Sequence, residues 1–129
     1  MREWLFRWGP AILIMGFIFT ASSTAGSDIP DFGVMNLIAM KGGHLTGYAL
    51  LGAAYLHSLT WKRPVSRTRL FLAAILVVLY AISDEWHQSF TPGRHPSLQD
   101  IGIDTVGGIL GIVCVYAVRR HRVSMKGLK

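Results

Sequence analysis

Asp84-Glu85-Trp86-His87-Gln88-Ser89-Phe90-Thr91-Pro92-Gly93-Arg94, followed by Asp100 and Asp104, is the stretch from which the architecture follows. It sets ionisable groups between two apolar runs in a chain of mean hydropathy +0.40. A soluble loop would hold such groups at little cost. Beside the hydrocarbon core of a membrane they are expensive, and a chain that keeps them there keeps them for use. The segment is therefore read as the working end of a small membrane protein.

The rest of the 129 residues supports that reading, with 51% hydrophobic and only 16% charged side chains. The apolar residues fall in four blocks, near 8–21, 37–59, 70–82 and 101–118. A spanning helix needs about 20 mostly apolar residues, and about 17 suffice. The second and fourth blocks reach that length; the first and third do so only by extending into their polar flanks. The expectation is an all-α, multi-pass membrane bundle of four helices forming one domain over 1–129. Its helices are placed over about 6–25, 35–60, 68–90 and 98–119.

A net charge of +6 invites a nucleic-acid reading, but the placement of charge opposes it. All but Lys41 and Arg94 of the 13 Lys and Arg residues precede block one, separate blocks two and three, or follow block four. The two remaining segments hold Asp28, Asp31, Asp84, Glu85, Asp100 and Asp104. Lys and Arg in short loops mark the cytoplasmic side, so both termini are expected in the cytoplasm and the acidic loops outside. The basic tail then touches anionic lipid rather than nucleic acid. The N-terminal run ending in Ala21-Ser22-Ser23-Thr24-Ala25 resembles a signal peptide. Losing it would leave three unpartnered spans, so it is read as the first helix. Cys114 has no partner cysteine and is read as a packing residue. Trp4, Trp8, Trp61 and Trp86 sit at block boundaries and suit an interfacial belt.

Helices in lipid associate where small residues allow close approach. Gly43 and Gly47 form one such pair and Gly107 and Gly111 another. Asp100, Asp104, Gly107 and Gly111 share one helix face, as do Lys41, His44, Tyr48 and Gly52. On the third helix Tyr80, Asp84 and His87 share a face, with Glu85 and Gln88 one position around. Pro92-Gly93 should end that helix, and Ser97 should cap the fourth, with Asp100 as the acidic member of a capping box. These faces are expected to meet in a common interior at the outer end.

A salt-bridged plug would need two or three charges, and this cluster holds eight ionisable groups, so a site is the better reading. Lys41 and Arg94 are the cations suited to an anion, with Arg94 able to grip phosphate or carboxylate in bidentate fashion. Glu85 is the candidate general base or acid, and His44 and His87 the candidate proton carriers. Tyr48, Asp84, Gln88, Asp100 and Asp104 complete the expected ligand-binding set. A metal could use His44, His87 and one of Asp84, Asp100 or Asp104, but no His-Glu-x-x-His spacing is present. Neither metal nor cofactor is therefore expected.

Lys41, His44 and Tyr48, then Glu85, Gln88, Phe90, Pro92, Gly93, Arg94, Asp100, Gly107 and Gly111, resemble the two signatures of the VanZ family of small bacterial membrane proteins. The likeness runs from about Lys41 to Gly111. Two positions depart from it: Met40 stands where many members carry Asp, and Asp104 where many carry Asn. The resemblance implies a cell-envelope protein associated with resistance to the glycopeptide teicoplanin. Two functions follow. One is a non-catalytic factor whose outward polar pocket binds a membrane lipid, a lipid-linked cell-wall precursor or the glycopeptide itself. The other is a small enzyme on a phosphate- or sugar-bearing lipid, with Glu85 as base. A pore from four short helices would require homo-oligomers, and nucleic acid is not an expected partner.

Overall fold

The computed structural model describes residues 2–24 and 33–126, except for the side chains at position 37 and beyond 121. Asp28 and Asp31, and the side chains of Arg122, Lys126 and Lys129, which entered the charge argument, lie outside the described residues. Four helices run in order: α1 (Arg2–Ser22), α2 (Val34–Leu59), α3 (Arg67–Gln88) and α4 (Leu98–Lys126). No strand occurs among the described residues.

Three of these helices are long and apolar enough to cross a membrane: Arg2–Ser22, Arg67–Gln88 and Leu98–His121. The ranking made from block length is corrected here. The first and third helices qualify, whereas α2, at 26 residues, is long enough but too polar. Asn36, Lys41, His44, Thr46, His57 and Ser58 interrupt it. The physical reason is position: α2 packs more extensively on the rest of the bundle than any other helix, above all on α4. Its polar atoms find partners in protein rather than facing hydrocarbon.

Contacts fix the directions. Arg7 meets Ser58 and Ile18 meets Gly47, so α1 and α2 are antiparallel. Lys41 meets Asp100 and Arg119 meets Thr60, so α2 and α4 run parallel. The chain goes up, down, up and down, and both ends of the described chain lie at one end of the bundle. Many large side chains point outward on every side, including Leu13 (75% exposed), Phe17 (72%) and Phe71 (67%). So much unpartnered apolar surface would be untenable in water and suits lipid.

The tightest seam joins α2 and α4. A Cβ built at Gly52 would overlap the backbone of Gly108, one at Gly107 that of Leu45, and one at Gly111 that of Ala49. Gly108 in turn receives Val77 of α3. Small residues thus replace side-chain interdigitation with backbone contact. The expectation for Gly43 and Gly47 is corrected: among the described residues no heavy atom lies within 4 Å of a Cβ at Gly43, and one at Gly47 meets only Ile18, at 3.6 Å. They border a groove instead of closing a seam.

The two ends of the bundle are built differently. At the end carrying the termini, Arg7 Nε donates to Ser58 O (2.8 Å) and Arg119 Nη1 to Thr60 O (3.3 Å). These cations stand at the C-terminus of α2, where the helix dipole favours them. Lys62 pairs with Glu3 across the surface. Ser66 caps α3 by accepting from Arg69 N (3.3 Å). The opposite end holds the carboxylates.

Candidate functional site

The third helix stops at Gln88, four residues before Pro92. The chain then turns through Thr91 N–Gln88 O (2.9 Å) and Arg94 N–Thr91 O (3.1 Å), with Gly93 at φ 73°, where only glycine sits without strain. This turn carries Arg94 back over the bundle, where its Nε donates to Thr24 O at the end of α1 (3.2 Å).

Beneath the turn lie three carboxylates. Asp84 and Glu85 are each 3% exposed and Asp104 is fully buried. Asp84 Oδ2 accepts from Ser22 Oγ (2.9 Å) and Gln88 Nε2 (3.2 Å). Glu85 Oε2 accepts from Ser97 N (2.8 Å), and Oε1 lies 3.4 Å from Gln88 Nε2. Asp104 Oδ1 meets His44 Nδ1 at 3.1 Å. At the rim, Lys41 Nζ pairs with Asp100 Oδ1 at 3.2 Å, both about one-third exposed.

The expected capping box is half observed. Ser97 Oγ accepts from Gln99 N (3.1 Å), as a cap should. The reciprocal partner is different: Asp100 turns to Lys41, and the Ser97 N–H is satisfied by Glu85 from α3. Glu85 therefore ties the α3–α4 loop to the bundle, an arrangement that spacing along one helix could not suggest.

The histidines separate. His44 enters the carboxylate cluster and lies 6.4 Å from the Tyr48 ring, nearly parallel to it. His87 stacks on Phe19 of α1 at 4.1 Å. Tyr80 donates to Met15 O (2.6 Å). The structure thus brings together Lys41, His44, Tyr48, Asp84, Glu85, Gln88, Asp100 and Asp104, with Arg94 above. Ser22 is a member that sequence reasoning missed, along with His95 at the rim. Ser22 lies in the small-residue run that looked like a cleavage site; its one usable signal was a hydroxyl at the outer end of an apolar helix.

Two cavities meet at this point. One, of about 280 Å³, lies between α1 and α2 and is walled by Phe17, Ile18, Ala21, Ala39, Met40, Gly43 and Gly47, with Ser22, His44, Tyr48 and Arg94 at its polar side. The other, of about 170 Å³, is lined by Lys41, Gln88, Arg94, His95 and Asp100, with Met40 and His44. Met40, His44 and Arg94 border both. A third, apolar depression continues along α1 and α2 past Leu13, Ile14 and Leu50.

A helical bundle with a lipid-compatible surface, a polar helix packed on the others and buried carboxylates at one end defines a small integral membrane protein with a polar cleft. Its family is shown by the VanZ/LLP1 family model, which matches residues 7–119. The chain belongs to the VanZ/LLP1 family. No curated protein and no solved structure matches it.

Proposed function

We infer that this protein is a multi-pass protein of the bacterial cell membrane that holds an anionic lipid or lipid-linked cell-wall precursor in its polar cleft, with both termini cytoplasmic and the cleft outward. The observation that carries this reading is the continuity of the cleft. Lys41, Arg94 and His95 gather at one end, and an apolar groove between α1 and α2 leads away from them along the membrane-facing surface. An amphipathic ligand matches both halves: a phosphate for the cations and a hydrocarbon chain for the groove. A contribution to teicoplanin resistance would follow if the bound lipid were thereby withheld from the drug.

Catalysis with Glu85 as base finds less support, because both of its oxygens already serve the fold. The test is native mass spectrometry of the detergent-purified protein. A phospholipid or prenyl-phosphate adduct should be retained by the wild type and reduced about tenfold in Lys41→Met/Arg94→Ala, a loss equivalent to one charge-assisted contact. Equal retention in both proteins would remove the reading. Orientation is checked separately, with Cys114→Ser/Ser89→Cys labelled by a membrane-impermeant maleimide from outside intact cells. Labelling only after lysis would place the cleft in the cytoplasm.

A further inference from the structure

Three carboxylates buried in a membrane bundle with a single histidine among them present a charge problem. Lys41 is taken by Asp100 and Arg94 stands on the end of α1, so neither neutralises Asp84 or Asp104. Asp84 Oδ1 and Asp104 Oδ2 are buried and find no hydrogen-bond partner among the described residues. An uncompensated charge in such surroundings costs several kcal/mol.

His44, Asp84 and Asp104 each offer a ligand atom, and these atoms all lie within 4.8 Å of one another. They come from three different helices, α2, α3 and α4, which is why no linear spacing announced them. A second observation points the same way. Tyr48 is fully buried, and its hydroxyl lies beside Asp84 and Asp104, close enough to interact with the Asp84 carboxylate but with no hydrogen bond of good geometry among the described residues. A buried phenol oxygen aimed into a group of under-satisfied carboxylates calls for something between them.

We propose that His44, Asp84 and Asp104 bind a divalent first-row metal ion, Zn²⁺ or Mn²⁺, with the Tyr48 hydroxyl as a further ligand or as the donor to a metal-bound water. Two carboxylates neutralise a divalent ion, removing the charge imbalance. One imidazole with oxygen ligands suits borderline Zn²⁺, or the harder Mn²⁺, better than Ca²⁺, which favours all-oxygen sites. The ligand atoms, all within 4.8 Å of one another, are close enough for one ion to replace the hydrogen bond that now joins His44 Nδ1 to Asp104 Oδ1. With Tyr48 as donor to a bound water, the three protein ligands leave one position open, and because His44 and Tyr48 also wall the α1–α2 cavity that position would face the cleft. The site stands without the lipid reading, since metal content is measured on the protein alone.

The experiment uses the tag-free full chain in detergent, stripped with chelator and dialysed against Zn²⁺ or Mn²⁺. Elemental analysis should find about one ion per chain, and His44→Gln and Asp104→Asn should each weaken binding by about 100-fold, at the upper end of losses seen even for residues behind the ligands. Undiminished binding in both variants, or less than a tenth of an ion per wild-type chain, would overturn the proposal. So would a rise in thermal stability of Asp104→Asn without any metal requirement, which would mean that protons settle the charge. Should the variants not fold, Zn X-ray absorption on the wild type decides. One imidazole with oxygen neighbours supports the site, whereas several imidazoles or a sulfur neighbour refutes it.

Discussion

The two ends of the bundle handle charge in opposite ways. At the terminal end the cations are exposed or half-buried and rest on backbone carbonyls at the end of α2, as Arg7 does on Ser58 and Arg119 on Thr60. Water and lipid head groups can solvate what the protein does not. At the other end Asp84, Glu85 and Asp104 are buried, held by Ser22, Gln88, the Ser97 amide and His44. The contrast teaches where function is to be sought: charge at the first end sits where solvent can reach it, whereas charge at the second is retained against its desolvation cost.

The seam that supports both ends should be the most sensitive feature. Gly111→Val places side-chain atoms against the Ala49 backbone, which cannot move as a side chain can. A loss of more than about 3 kcal/mol is expected, read as disappearance of the monodisperse peak in detergent chromatography. A well-folded Gly111→Val would mean that α2 and α4 stand further apart than described.

At the carboxylate end, Glu85→Ala strands the Ser97 amide and removes one acceptor of Gln88 Nε2. It should cost about 2 kcal/mol in thermal unfolding. The predicted signature is local: amide exchange should rise in the Thr91–Ser97 loop before it rises at the basic end. Ser22→Ala removes one of two donors to Asp84 Oδ2, with an expected cost near 1 kcal/mol. No change at all would show that helix α1 is not docked through this contact.

The smallest effect belongs to the basic end. Lys62 and Glu3 are 64% and 74% exposed, and their pair should contribute no more than about 0.5 kcal/mol, vanishing in high salt. If Lys62→Ala destabilised the protein as much as Glu85→Ala, the contrast between the ends would collapse.

The sequence by itself determined the class, the number of helices and most of the cluster's membership. Apolar blocks of spanning length can be satisfied in lipid only as helices. Lys41, His44, Asp84, Asp100 and Asp104 could be gathered because helical periodicity puts each on a face with others of its kind. Tertiary structure decided what periodicity does not encode. It made α2 the most extensively packed helix, gave the close seam to Gly52, Gly107 and Gly111 instead of Gly43 and Gly47, and turned His87 toward Phe19. It also brought in Ser22 and sent Glu85 to cap the loop before α4. Each outcome depends on which helices pack together and at what rotation. Those follow from contacts between residues 12 to 70 positions apart, to which no local pattern in the chain is sensitive.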